Sequence, residues 1–131
     1  VKEKLEAAGW NSQSHRYLEQ YRITKEKGQS KITGKRSRTT QIVDYVLFYQ
    51  GEIPIAVIEE KSHSRRLNQG LKQAIKYAKA LGVQFAYATN GQAIVEYDLI
   101  TNQQSQERES FPTPKQLWHR LGNNQESNRV K

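Results

Sequence analysis

The sequence predicts an α/β fold, a mixed central β-sheet flanked by helices, and three observations carry that prediction. Two apolar, β-branched runs, VDYVLFY (43–49) and EIPIAVIEE (52–60), flank Gln50-Gly51 and have good strand composition. Residues 65–81 place Leu67, Leu71, Ala74, Ala78 and Leu81 at three- and four-residue steps, the apolar stripe of an amphipathic helix. Beyond it, VQFAYATN (83–90) and QAIVEYDL (92–99) are separated by Asn90-Gly91, a strong hairpin signal. The order strand, strand, helix, strand, strand, preceded by a helix and a short strand, implies a mixed sheet with helices on its faces.

Taken in order, residues 2–9 read as a short helix that Gly9 terminates. Residues 21–40 combine a short strand with a basic segment: Lys25, Lys27, Lys31, Lys35, Arg36 and Arg38. Such a charge run is either a solvated loop or a phosphate-contacting arm beside a site. Arg38, six residues before Asp44, leads into the next strand and is the best-placed contact. On the 65–81 helix, Lys72, Lys76 and Lys79 fall opposite the apolar stripe at ~100° per residue. Gln73 and Tyr77 lie one turn apart on its flank. Gly82 suits a C-cap. Thr89 and Asn90 are explained by turn chemistry, and Glu96 and Asp98 receive no catalytic role. Pro114 opens a short helix over 114–121, which Leu117, Trp118 and Leu121 pack onto the domain. Residues 122–131 are polar apart from Val130 and are expected to form a polar tail or linker. That leaves 1–121 as the folded domain.

Composition narrows the function. The 131 residues suffice for one core but not two. With 21 Lys and Arg against 13 Asp and Glu, the net charge of +8 favours a phosphate backbone as partner. There is no cysteine, which excludes disulfides and thiolate metal sites. No apolar run approaches ~18 residues and no signal peptide is visible, so a cytoplasmic setting without a membrane partner is expected. His15, His63 and His119 lack metal-ligand spacing. The chain contains no Met, which points to a processed protein, a fragment or a domain. The stretch from Gly28 to Arg36 fails as a phosphate-binding loop: its spacer is one residue too long and Arg36 stands where Ser or Thr is needed. No ATP hydrolysis is expected from this chain.

Asp44, Glu59 and Lys61 stand out because they interrupt apolar strands, where unpaired charge is costly. A two-residue loop at Gln50-Gly51 would set Asp44 opposite Val57 and put Glu59 on the diagonal, roughly 5–8 Å away on the same face. An odd-length loop would place the two carboxylates on opposite faces. Two oxygen ligands at that distance suit a hard divalent cation such as Mg²⁺. Lys61 would then lie beside the metal, orienting water or stabilising negative charge. The plain alternative is a solvated edge-strand salt bridge.

These residues resemble the PD-(D/E)XK nuclease motif, although Val43 stands where that motif has Pro. The wider sequence resembles the N-terminal nuclease domain of type I restriction endonuclease R subunits. LEAAGW (5–10), GLKQAIKYAKALGV (70–83), FAYATNGQAIVEYD (85–98) and FPTPKQLW (111–118) carry the resemblance, in order, over most of the chain. The resemblance implies a restriction-endonuclease-like fold and Mg²⁺-dependent cleavage of double-stranded DNA, with Mn²⁺ as a substitute. It implies Asp44, Glu59 and the Glu60 backbone carbonyl as metal ligands, and Lys61 as the catalytic lysine. Glu6 or Glu19 would supply an extra metal carboxylate. Gln73 and Tyr77 match a Gln-x-x-x-Tyr motif that positions DNA or supports the lysine, and Arg38 is a further DNA contact. The family's partners are motor domains in the same subunit plus modification and specificity subunits. Rival readings are a DNA-binding module without turnover and a stand-alone resolvase or repair nuclease of the same superfamily.

Overall fold

The computed structural model describes residues 1–29, 36–62 and 67–129; the side chains of 24–29, 36–39 and 123–129 lie outside that description. The elements follow the order α1 (Lys2–Ala7), β1 (His15–Gln29), β2 (Arg36–Tyr49), β3 (Ile53–Glu60), α2 (Leu67–Leu81), β4 (Phe85–Thr89), β5 (Ile94–Asp98), β6 (Gln103–Gln104) and α3 (Pro114–Arg129). Six strands form one sheet in the order β1-β2-β3-β4-β5-β6. Every neighbouring pair is antiparallel except β3 and β4, which are parallel and joined through α2. This is the mixed sheet flanked by helices that the sequence predicts.

Each face of the sheet has its own core because strand side chains alternate. On one face, Val46, Phe48, Val57 and Ala86 pack against Ala74, Tyr77 and Ala78 of α2. On the other, Tyr45, Leu47, Ile58, Phe85 and Tyr87 pack against Leu5 of α1 and Leu117 of α3. Trp10 is fully buried there, its indole N–H donating to the Pro112 carbonyl at 2.9 Å. Thr113 and Gln116 cap α3 reciprocally: the Gln116 N–H donates to Thr113 Oγ1 and the Thr113 N–H to Gln116 Oε1. Among the described residues, no helix is long and apolar enough to cross a membrane.

Three expectations need correction. The first strand is not short: β1 begins at His15 and pairs with β2 along almost its whole length. HRYLEQY (15–21) shows no clean alternation, so it is a strand because β2 offers it a ladder, not by its own preference. Nor does the last helix stop at Leu121, since α3 runs through the expected polar tail as far as Arg129.

The third correction concerns the β2–β3 register. Tyr49 pairs with Ile53, which leaves three residues in the loop, with Gln50 and Gly51 at φ of +52° and +83°. That odd loop alone would separate the carboxylates. The ladder, however, steps from Phe48↔Pro54 to Leu47↔Ala56, leaving Ile55 as an extra bulged residue. Pro54 cannot donate to a ladder, and the bulge sits beside it. Two odd offsets restore parity and set Val57 opposite Val46 rather than Asp44. Two steps further along, past Tyr45↔Ile58, Asp44 meets Glu59.

Candidate active site

The β2–β3 ladder ends at Tyr45↔Ile58, where the site begins. Beyond that pair the two strands exchange side chain for backbone. The Asp44 N–H donates to Glu59 Oε2 at 3.0 Å, and the Glu60 N–H donates to Asp44 Oδ2 at 2.8 Å. Each carboxylate is therefore fixed by the opposite strand, and each has a second oxygen beyond the one so anchored. Gln20, across β1 from Asp44 between the pairs Glu19↔Tyr45 and Tyr21↔Val43, holds a φ of +53°. That left-handed value is unusual for a non-glycine residue inside a strand.

Glu59 is buried, with only 3% of its surface exposed, while Asp44 is half-buried. Burial pushes the Glu59 carboxyl up to about 7. The Asp44 charge adds to that push, whereas the Asp44 N–H and Lys61 oppose it. Among the described residues the two carboxylates lack full compensating charge, a condition that favours a proton or a cation beside them.

Lys61 follows β3, where the parallel partner β4 receives its N–H at the Thr89 carbonyl, 2.8 Å away. Its ammonium donates to Gln73 Oε1 at 3.1 Å, and Gln73 Nε2 donates to the Tyr77 hydroxyl at 2.8 Å. The one-turn spacing of Gln73 and Tyr77 thus becomes a bonded chain from α2 to the lysine. Tyr77 is buried in the α2-side core, which fixes the far end of that chain.

Sequence reasoning assigns no role to Gly70, but the structure does. A Cβ at this position would lie 3.0 Å from Lys61 Cγ, 3.4 Å from Lys61 Cε and 3.3 Å from Ala88 Cβ. The lysine stem crosses α2 through the space a side chain would fill. The only signal in the sequence is a glycine inside a helical pattern, which implies a packing reason.

Other candidates lie elsewhere. Glu19 is inside β1 and pairs with Lys2 at 3.0 Å, and Glu6 accepts from the Tyr17 hydroxyl at 3.1 Å. Among the described residues, neither joins Asp44 and Glu59 in a group of three potential metal ligands. Arg38 belongs to β2 opposite Glu26, but its side chain lies outside the described residues, as does His63. Thr89 and Asn90 bond within their own turn, to Ala93, Gly91 and Gln92. A cavity of about 530 Å³ beside Arg108, Lys115 and His119 lies at α3, away from the Asp44–Glu59 pair.

Known proteins converge on one family. Residues 8–105 match the family described as the type I restriction enzyme R protein N terminus. The type I restriction enzyme EcoAI endonuclease subunit of Escherichia coli is 33% identical over 121 residues, covering 87% of this chain and 15% of the relative. A solved fragment described as an HsdR subunit of a type I restriction enzyme from Vibrio vulnificus YJ016 is 38% identical, with a TM-score of 0.77. That match covers 92% of this chain and 23% of the other. The chain therefore spans well under a third of the length of these relatives.

Proposed function

The chain belongs to the family of type I restriction enzyme R protein N-terminal domains, and from that premise we propose that it is the DNA-cleaving domain of such a subunit. On this reading it is a Mg²⁺-dependent endonuclease domain of the PD-(D/E)XK superfamily, hydrolysing phosphodiester bonds of double-stranded DNA in the cytoplasm. The observation that carries the reading is the reciprocal lock between Asp44 and Glu59 with Lys61 bonded beside it.

The donor set fits a hard divalent cation: two carboxylates held by backbone N–H groups, one of them raised to about 7 by burial. Asp44, Glu59 and the Glu60 backbone carbonyl would hold Mg²⁺, or Mn²⁺ in its place. When bound, the ion supplies Lewis acidity and an acidified water. Lys61 directs its ammonium at the attacking water or at the charge that develops on the phosphate. Gln73 accepts from that ammonium and sets its direction, and Tyr77 holds the Gln73 amide. Arg38 contacts the DNA backbone from the approach to the site. The remaining machinery lies in other parts of the assembly: motor domains of the same subunit, and modification and specificity subunits.

The test is cleavage of supercoiled and linear DNA by the chain in Mg²⁺, Mn²⁺ or EDTA, alongside Lys61→Ala. Metal-dependent cutting that disappears in Lys61→Ala supports the enzyme. DNA binding without cutting, with the rest of the assembly present, supports a binding module instead. Calorimetric titration with Mn²⁺ checks the ligands directly: Asp44→Ala and Glu59→Ala should each abolish binding, and unchanged binding in both overturns the assignment.

A further inference from the structure

β1 and β2 extend past the rest of the sheet. β2 pairs with β3 only from Tyr45 to Tyr49, whereas its ladder with β1 continues from Val43↔Tyr21 to Arg36↔Gln29. Over that stretch β1 is the sheet edge, and among the described residues β2 has no second strand. The hairpin thus becomes a two-stranded ribbon rooted at Asp44. Tyr21, Ile23 and Val43 still pack on the α2-side core, and beyond them the ribbon from Thr24 to Gln29 extends roughly 20 Å at ~3.3 Å per residue, over half of one turn of B-form DNA at ~34 Å.

A bare two-stranded ribbon is marginal in water, so its composition shows what would hold it. The described strand positions carry Arg22, Lys25, Lys27, Arg36 and Arg38 against Glu26 alone, half of the chain's net charge of +8. Thr24, Thr39, Thr40 and Gln41 add short hydrogen-bonding groups, and Ile42 is the large apolar residue left exposed. Beyond Ile23 the composition offers an apolar partner little. It suits a polyanion. The major groove of B-DNA, ~12 Å wide, admits a two-stranded β-ribbon.

We propose that this ribbon is the duplex-gripping arm of the chain, entering the major groove next to Asp44, Glu59 and Lys61 and setting the path of the DNA across them. The proposal deepens the nuclease reading and rests on it for the identity of the polymer. Arm binding is independent of metal, because the ribbon cations contact phosphates whether or not the carboxylates hold an ion.

The experiment measures duplex binding by the chain in EDTA, by fluorescence anisotropy from 50 to 300 mM salt. One variant combines Lys25→Gln, Lys27→Gln, Arg36→Gln and Arg38→Gln. A control combines Lys72→Gln, Lys76→Gln and Lys79→Gln on the exposed side of α2. At ~0.9 counterions released per phosphate contact, losing four cations should flatten the log–log salt slope by about 3.6 and weaken binding at least tenfold. The α2 variant should change the slope by less than about 1. An unchanged slope in the ribbon variant overturns the arm. Equal flattening in both variants means that net charge alone binds, and also overturns it. Single-stranded DNA binding as tightly as duplex overturns groove entry. Failure of the nuclease reading looks different: ribbon-dependent duplex binding persists, but neither Mg²⁺ nor Mn²⁺ produces cutting. Thermal melting of both variants, with transitions matching the parent, shows that the core is intact.

Discussion

Glu96 and Asp98 on β5 and Asp44 and Glu59 on β2 and β3 are two carboxylate pairs on one sheet, and the protein treats them differently. Arg120 reaches from α3 to both oxygens of Glu96 at 2.9 Å and to Asp98 Oδ2 at 2.7 Å. The Tyr87 hydroxyl and, more distantly, Arg108 complete that cluster. The Asp44–Glu59 pair instead receives backbone N–H groups, and the cation acting on Glu59 is Lys61, whose ammonium is already bonded to Gln73. One pair is neutralised from within and joins α3 to the sheet. The other is positioned but, among the described residues, left short of positive charge, which is the condition for recruiting an ion. On the proposed reading, surroundings rather than spacing in the sequence separate a structural pair from a chemical one.

Neutralising one member of each pair tests that difference most severely. Asp44→Asn keeps an oxygen for the Glu60 N–H but removes a charge. On the proposed reading, DNA cleavage should fall on the order of 10³-fold, with the melting temperature within about 2 °C of the parent. Asp98→Asn should do the reverse, lowering the urea midpoint while leaving cleavage within about twofold. Comparable losses of cleavage from both substitutions would erase the distinction. Arg120→Met carries the same comparison into stability. Breaking a buried pair by removing one partner costs about 3–5 kcal/mol, and the partial exposure of Arg120 reduces that to about 2–3 kcal/mol. Urea denaturation reads it directly.

The charge deficit at Glu59 also predicts a dependence on pH. Its folded value, about 7, lies above the ordinary 4.5, so the folded state binds more protons than the unfolded chain between those values. Stability in EDTA should therefore be greatest below about pH 4.5 with respect to this group. It should fall as pH rises through 7, by on the order of 3 kcal/mol. Glu59→Gln should flatten that window. Mn²⁺ should offset the loss at pH 7, because the ion takes the place of the proton. Denaturation midpoints measured every half pH unit decide it, and a parent profile in EDTA no steeper than that of Glu59→Gln counts against the deficit.

Much of this arrangement is legible in the sequence, but unevenly. The stripe from Leu67 to Leu81 and the Asn90-Gly91 turn announce α2 and the β4–β5 hairpin, because helix periodicity and turn chemistry are local. Gln73 and Tyr77 are legible for a similar reason, since they lie one helical turn apart, but their link to Lys61, twelve residues before Gln73, comes from the family resemblance rather than from local pattern. The meeting of Asp44 and Glu59 is legible only in part. Reasoning from a two-residue loop puts both on one face by a path the chain does not take, since it uses a three-residue loop and then a bulge at Ile55. Pro54 is the one residue that hints at the second irregularity. Arg120 is beyond local reasoning altogether, because its contacts with Glu96 and Asp98 depend on where α3 docks. Thr113-Pro114-Lys115-Gln116 carries the capping-box pattern in plain view.

The smallest expected effect concerns Gly70, where the two regions of α2 chemistry, packing and lysine placement, can be separated. Replacing a glycine inside a helix by alanine ordinarily stabilises it by up to about 1 kcal/mol. Here the new Cβ would stand 3.0 Å from Lys61 Cγ, so the flexible stem must move and the bond to Gln73 must stretch or break. Gly70→Ala should therefore leave stability within about 1 kcal/mol of the parent but slow cleavage about tenfold, mainly in kcat. In a Lys61→Ala background the obstructing stem is gone, and only the 3.3 Å approach to Ala88 remains. There the same substitution should be more stabilising than in the parent by about 0.5–1 kcal/mol. That double-mutant cycle needs no catalysis to be read. If Gly70→Ala has the same effect on stability in both backgrounds, the glycine does not make room for the lysine, and its place in α2 is one of helix packing alone.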